Sequence, residues 1–500
     1  MARKYGLFIN GQYIHSSHWN RVPNALNPDE TLGEVAQFRK DDDDSEIWEA
    51  CLEGAWQTYL QVRNENFFPF EERLAFLKRL STRFEDQKEN LAQLIMQEVG
   101  KPLALARGEV GRAIDTLLWT IEAAPKIINR EERLPLHQRD SWKDFEGYWT
   151  REARGPLLAI TPFNFPLNLA IHKIAPALAA GCPVILKPSG KASLVGLCIA
   201  DYCQAESLPA GMLNVFNCDN ATTEALIADS RVRHVSFTGS AKVGWKLRNS
   251  TQKPFFLELG GAAPVFVDEG CDLQSVATNL CKSSFAYAGQ VCISTQSIWI
   301  HENIYSEFVK AFEKAMNTLP CGLAAREDVI CSSLITEESF QRVKDLEAQI
   351  LCEGGKITQF TGKLLETGSI NAVLFEKSGW QKQFLAPRFI EDLQVTSTFL
   401  REEAFAPLVA LQKATSFETF VEWSNALESR LQCAVFSSNE TMLKRAAHEL
   451  DYGGVILNES PSHRFDPMPY GGRGRAGSGS EGPKFALQDY TELKSVLKKT

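Results

Sequence analysis

Neither a metal centre nor a disulfide framework follows from the cysteine spacing of this chain. The 12 cysteines include no CxxC pair and no cysteine–histidine cluster, so zinc and iron–sulfur patterns are missing and no metal is expected. They read as reduced thiols of a cytoplasmic protein, most of them small buried apolar residues. An excess of positive charge is also absent. The net charge is −9, spread along the chain rather than blocked, which argues against nucleic acid or an anionic membrane as the main partner. The amino-terminal run from Met1 to Gly11 has Arg3 and Lys4 but no apolar segment long enough for a secretory signal. No long uninterrupted hydrophobic run occurs: the most apolar stretch, 167–186, contains Asn168, His172, Lys173, Pro176 and Pro183. It reads as a buried helix followed by a strand, not as a membrane span. There is no internal repeat, no low-complexity linker, and no GxGxxG between a strand and a helix, the usual dinucleotide fingerprint.

What is present is an ordinary globular composition, 44% hydrophobic and 23% charged, on 500 residues. That length exceeds one hydrophobic core and implies two or three domains. Residues 8–37 show short apolar runs broken by Asn10-Gly11 and Asn27-Pro28, a hairpin pattern. The acidic run Asp41 to Asp44 reads as a helix start, because Ile47, Cys51, Ala55 and Tyr59 follow at helical spacing. Helices then dominate to about residue 124, including 73–90 and 92–99. From Arg151 short apolar runs at 157–160, 183–187, 213–216 and 234–237 alternate with helical segments, the signature of βαβ units in a parallel sheet. A second α/β region begins near Gly260. The segments 126–148 and 483–500 fit neither pattern and are candidates for an extension that reaches another subunit.

Several constellations carry chemistry. Ala288-Gly289-Gln290-Val291-Cys292 places a cysteine just after a glycine-containing turn, where it can be presented rather than packed away. A nucleophilic cysteine needs that presentation, together with positive potential. Taken alone, one cysteine of 12 is more readily a core thiol. Glu258, between Leu257 and Leu259 and before Gly260-Gly261, is either a desolvated general base or a salt-bridged structural acid. Asn164, in Thr161-Pro162-Phe163-Asn164-Phe165-Pro166, sits at a strand-to-helix corner. There it can donate to an oxyanion, cap the helix, or do both. Lys187-Pro188-Ser189 ends a strand, where open parallel sheets bind ligands. Phe237-Thr238-Gly239-Ser240, followed by Gly244, suits a phosphate at a helix N-terminus. The glycine-rich tract 471–482 follows no suitable strand and reads as a flexible loop.

Together these pieces resemble the aldehyde dehydrogenase superfamily. TPFNFP (161–166), KPS (187–189), FTGS (237–240), LELGG (257–261), GQVC (289–292), EEAFAP (402–407) and MPYGG (468–472) occur in that family's order, over nearly the whole chain. The resemblance implies an α/β fold: a Rossmann-like cofactor domain (1–125 and 149–258), an α/β catalytic domain (259–465), and a β extension (126–148 and 483–500) that joins subunits into dimers or tetramers. It implies Cys292 as nucleophile, Glu258 as the base that activates water, and Asn164 with the Cys292 backbone N–H as oxyanion hole. Lys187, Ser189, Lys191, Thr238, Gly239, Ser240, Glu403 and Phe405 become contacts of NAD or NADP. Gly190 stands where many relatives carry a glutamate that repels a 2′-phosphate, and Lys191 follows it, which leans the reading toward NADP. The glycines that the family places after 213–216 are replaced by Asn217-Cys218-Asp219-Asn220, and Arg473 and Arg475 have no functional account.

The substrate is less constrained. Gly100-Lys101-Pro102, the run Ala106-Arg107-Gly108-Glu109-Val110, the run Arg112 to Thr116, Phe285-Ala286-Tyr287 and His463-Arg464-Phe465-Asp466 resemble the branch with lactaldehyde and phosphono- or sulfoacetaldehyde dehydrogenases. That branch implies a small polar or anionic aldehyde, with Arg107, Phe165 and Arg464 as candidate contacts. Arg107 is either an anchor for an anionic tail or a helix-surface arginine paired with an acid. Two other functions compete: a dehydrogenase that acylates coenzyme A, which Glu258 disfavours, and a non-catalytic protein that kept the fold.

Overall fold

The computed structural model describes residues 3–39, 45–64, 67–128, 130–365 and 379–500. Two hairpins open the chain. Leu7–Ile9 and Gln12–Ile14 are joined by Asn10-Gly11, both at positive φ (49° and 77°), as a tight two-residue hairpin turn requires. His18–Asn24 pairs with Asn27–Phe38, and Asn24 lies opposite Asn27, so the second turn falls at Ala25-Leu26 rather than at Asn27-Pro28. Helices Ser45–Asn64, Phe70–Asp86, Lys88–Val99 and Leu103–Ala123 follow. Cys51, Ala55 and Tyr59 are buried on the first of them, while the acidic run Asp41 to Asp44 lies outside the described residues.

The larger sheet has Leu157–Ile160 at its centre. Val184–Lys187 and then Leu213–Val215 lie on one side, His234–Gly239 and then Phe255–Leu259 on the other, all five parallel. In chain order this is 3-2-1-4-5, the doubly wound arrangement. The connections leave the first and fourth strands in opposite directions, and a crevice opens at their carboxyl ends. The loops that flank the crevice are Thr161 to Asn164 and Gly239-Ser240. The fully buried helix Asn168–Ala180 connects the first two strands, ending at Gly181 in the left-handed region. Asn217–Cys218 is a short strand on Asn27–Phe38. Asp219, where a glycine was expected, caps Asn220–Ala228 by accepting the Thr222 N–H at 2.8 Å.

A second, seven-stranded sheet runs from Lys356–Gln359 to Gly454–Leu457, parallel apart from its first strand. A third sheet joins Glu132–Arg133, Phe145–Ala153 and Thr491–Lys499. Its edge strand Thr491–Lys499 leaves Leu493 and Leu497 about 60% exposed. Helix Pro483–Asp489 packs instead against Asn168–Ala180 and Leu103–Ala123.

The glycine-rich tract is a correction. Arg473–Gly474 pairs with Ser429–Arg430, and Gly477–Ser478 pairs with Leu257 and Glu258. A Cβ on Gly477 would meet the Leu257 carbonyl at 2.3 Å. The glycines therefore let backbones approach closely rather than confer flexibility. Arg473 and Arg475 pair with Asp451 and Glu428. No described helix is long and apolar enough to cross a membrane.

Candidate active site

The segment that carries Cys292 follows helix Leu273–Phe285. Tyr287, Ala288 and Gly289 occupy the left-handed region in succession, with φ of 51°, 55° and 69°. For non-glycine residues that conformation costs roughly 1–2 kcal/mol each, so the surroundings must impose it. They do. The Tyr287 N–H donates to the Ile330 carbonyl at 2.9 Å and its hydroxyl to the Val99 carbonyl at 2.6 Å. The Gln290 amide donates to Tyr287 and Ser333 carbonyls and accepts from the Ile335 N–H. A Cβ on Gly289 would meet the Ala406 carbonyl at 2.1 Å. The strained turn thus holds Cys292 half-buried against the end of the larger sheet.

The Cys292 Sγ lies 3.0 Å from the Tyr470 hydroxyl. Burial, and next the negative charge of Glu258, push its pKa well above the ordinary thiol range, whereas Tyr470 and Arg464 pull it down. Glu258 is buried on Phe255–Leu259. Burial and the Glu481 carboxylate push its pKa up to about 7, with Arg464 and Lys173 opposing. That value suits a base working near neutrality.

Asn164 follows the central strand and is buried. Its side-chain Nδ2 donates to the Gln290 carbonyl at 3.0 Å, and its own carbonyl accepts from Lys101 Nζ at 2.8 Å. Lys101 is paired in the interior with Glu109. The other Glu109 oxygen accepts the N–H groups of Leu167 (2.9 Å) and Asn168 (3.2 Å). Glu109, not Asn164, therefore satisfies the start of helix Asn168–Ala180, which leaves the asparagine amide for the site.

One cavity of about 350 Å³ brings Asn164, Thr238, Gly239, Ser240, Glu258, Cys292, Glu403 and Phe405 together. Ser240 precedes helix Ala241–Asn249, and its side chain makes no capping bond there. The hydroxyl and the first amides of that helix are suited to a phosphate. A Cβ on Gly244 would meet Leu259 at 2.8 Å, so glycine lets this helix approach the sheet. Burial and the nearby Glu258 charge raise the Glu403 pKa to about 8. Phe405 has φ of 49°, its carbonyl accepts from Arg342 at 3.0 Å, and its ring meets Phe163 edge to face. Lys187 ends its strand half-buried. Ser189 Oγ accepts the Lys191 N–H at 3.3 Å, and the exposed Lys191 faces Glu338. This donor set fits a dinucleotide.

A larger cavity of about 1010 Å³ is lined by Phe165, Arg112, Lys282, His463 and Val291. Cys292 lines the first cavity and its chain neighbour Val291 the second. Phe165 packs on the Lys101 ammonium, 3.4 Å from the ring centre. Arg107 is absent from this wall: its guanidinium is held at the surface by Glu89 and Glu327, the second of its two readings, and it does not act as an anchor. Arg464 is corrected, since it lies buried over the Tyr470 ring at 3.6 Å, beside Glu481, and lines neither cavity.

Several neighbours of the site escaped the sequence reading. Arg112 was the better cation: Glu109, Arg112 and Thr116 recur at spacings that share one helix face, and a buried glutamate identifies that face as inward. It donates to Asp466 at 2.7 Å, and His172 contacts the same carboxylate at 2.9 Å. Lys173 and Glu481 gave no local signal, and Tyr470, although within MPYGG, was given no role.

Residues 18–496 match the model of the aldehyde dehydrogenase family. A 3-sulfolactaldehyde dehydrogenase of Priestia aryabhattai is 30% identical over 99% of this chain and 98% of its own. The structure of aldehyde dehydrogenase 21 from Physcomitrella patens, in complex with its product succinate, superposes with a TM-score of 0.90 at 29% identity, covering 100% of this chain and 99% of that one. Glyceraldehyde-3-phosphate dehydrogenase GapN from Methanocaldococcus jannaschii, complexed with NADP, gives 0.85 at 29% identity, covering 97% and 100%. With the motifs, the doubly wound sheet and this match over nearly its whole length, the chain belongs to the aldehyde dehydrogenase family.

Proposed function

We propose that the protein oxidises a small polar or anionic aldehyde to its carboxylic acid, with NAD or NADP as hydride acceptor, through a thioester on Cys292. The observation that carries this reading is the convergence of Cys292, Glu258 and Asn164 on one cavity that Ser240 and Glu403 also line. The Cys292 thiolate attacks the aldehyde carbon, and the Asn164 amide turns from the Gln290 carbonyl to donate to the oxyanion, a contribution of roughly 10²–10³ in rate. A bound nicotinamide supplies the acceptor for the hydride that leaves the tetrahedral adduct. Glu258 then removes a proton from water, the resulting hydroxide attacks the thioester carbonyl, and the acid departs as the Cys292 thiolate re-forms. Glu258 favours water over coenzyme A as acyl acceptor, and the retained set of three disfavours a non-catalytic role.

Ser240 and the helix it opens would hold the pyrophosphate, Lys187 and Ser189 the adenosine ribose, and Glu403 and Phe405 the nicotinamide end. Gly190 and Lys191 support NADP over NAD. The anionic tail is supported by Arg112 and Lys282 on the wall of the larger cavity. Three relatives act on or hold compounds with a sulfonate, a carboxylate or a phosphate, as their names state. The exposed edge of the third sheet supports assembly into a homodimer or homotetramer, and 12 free cysteines suit the cytoplasm.

The test is nicotinamide reduction across a panel of neutral and anionic aldehydes, with each cofactor, with and without coenzyme A. Turnover without coenzyme A, favouring anionic aldehydes and NADP, is expected. No turnover with any aldehyde overturns the reading, and a large preference for NAD overturns the cofactor assignment.

A further inference from the structure

The mechanism above leaves unused two groups beside the nucleophile, Tyr470 and Arg464, and the glycine-rich tract that follows the tyrosine. The Tyr470 hydroxyl lies 3.0 Å from the Cys292 Sγ. The Arg464 guanidinium covers the ring at 3.6 Å and lies 3.5 Å from the Glu481 carboxylate. Arg464 Nε is buried and has no hydrogen-bond partner among the described residues. Tyr470 and Glu481 exchange both backbone hydrogen bonds, at 3.0 and 2.6 Å, so the residues between them form a closed loop. That closure needs glycine: a Cβ on Gly471 would meet the Gly479 carbonyl at 2.3 Å, and one on Gly472 would meet Ala476 at the same distance. The tract therefore delivers the Tyr470 phenol to the thiol and the Glu481 carboxylate to Lys173 and Arg464.

We propose that Tyr470 is a further catalytic residue that donates a hydrogen bond to the Cys292 thiolate, and that Arg464 is the positioning residue that fixes its ring and supplies positive potential. The inference rests on the reading of Cys292 as nucleophile. The acids facing the sulfur oppose its ionisation: Glu258 from the strand Phe255–Leu259 and Glu403 from the turn after Thr398–Arg401. Tyr470 and Arg464 are the groups that favour it. A half-buried thiol beside two acids would stay protonated without such compensation. A hydrogen bond to an ionised group shifts this balance by about one pH unit or more, about tenfold in thiolate fraction.

The experiment is alkylation of the full-length protein by iodoacetamide across pH, with Cys292 resolved from the other cysteines by peptide mass spectrometry. Tyr470→Phe keeps the ring and removes only the hydroxyl. It should move the Cys292 midpoint up by about one pH unit and slow alkylation about tenfold below that midpoint. At low pH, kcat/KM should fall in parallel while the KM for aldehyde and cofactor holds. Arg464→Met should shift the midpoint in the same direction and Arg464→Lys should recover part of the shift, so the arginine variants carry the test if the tyrosine variant does not fold. A Tyr470→Phe alkylation profile that overlays the wild type, with Cys292→Ala still inactive, overturns the proposal. Turnover by Cys292→Ala overturns the parent reading instead, so the two failures are distinguishable.

Discussion

Replacing Glu258 by glutamine should make the protein more stable and stall its chemistry. Burial lifts the Glu258 pKa from 4.5 to about 7. At about 1.4 kcal/mol per pH unit, keeping the carboxylate charged in the folded state costs about 3 kcal/mol. Because the folded pKa lies above the unfolded one, this cost is absent below pH 4.5 and grows as pH rises through about 7. Glutamine is never charged, so the variant and the wild type should unfold alike near pH 4. The variant should be the more stable near pH 8, by up to about 3 kcal/mol. The chemical effect runs the other way. Glutamine cannot accept the proton from water, so thioester hydrolysis should slow by about 10²–10⁴. Reduced nicotinamide should then appear in a burst equal to the Cys292 content and stop as the thioester accumulates. Rapid mixing reads the burst, intact mass reads the acyl group, and denaturant titrations at the two pH values read stability. Wild-type turnover by Glu258→Gln, or a stability difference that ignores pH, would refute the reasoning.

Asn164→Ala should lower kcat/KM by about 10²–10³ and leave cofactor binding, followed by quenching of protein fluorescence, close to wild type. Arg112→Ala should raise the KM for an anionic aldehyde far more than for a neutral one of the same length, while Arg107→Ala changes neither, because its guanidinium is committed to Glu89 and Glu327; steady-state kinetics on paired substrates decides. Glu109→Gln leaves the Lys101 ammonium buried, where burial already lowers its pKa to about 8. A loss of about 3–5 kcal/mol in a denaturant titration is expected, with activity falling too because Lys101 holds the Asn164 carbonyl.

Much of the architecture was legible in the order of the residues because the forces that set it are local. The runs at 157–160 and 234–237 are too short and apolar to be anything but buried strands between helices, and both form within two residues of where the pattern places them. Asn10-Gly11 selects its own turn. Asn164 and Ser240 could be located because each ends a strand, and the carboxyl ends of parallel strands face one crevice. The motif order supplied the chemistry proposed for Cys292 and Glu258.

Other features were decided only by the tertiary structure. Arg107 and Arg112 lie on one helix; spacing groups Arg112 with Glu109 and Thr116, but only the fold shows that Glu109 is buried, that Glu89 and Glu327 claim Arg107 and that Asp466 orients Arg112. The glycines of 471–482 look the same in sequence whether they loosen a loop or let two backbones touch; the strand at Leu257 and Glu258 determines that they do the latter. Tyr470 meets Cys292 across 178 residues and Glu481 meets Lys173 across 308. Contacts at such separations form only when the sheet closes in its 3-2-1-4-5 order. Propensity acts over a few residues, whereas burial, charge pairing and pKa depend on what the finished fold brings alongside. The amino-acid sequence by itself therefore determined the central strands, the Asn10-Gly11 turn and the residues proposed to react. The tertiary structure decided their neighbours, and with them the environment that sets the ionisation of Cys292 and Glu258 on which the proposed chemistry depends.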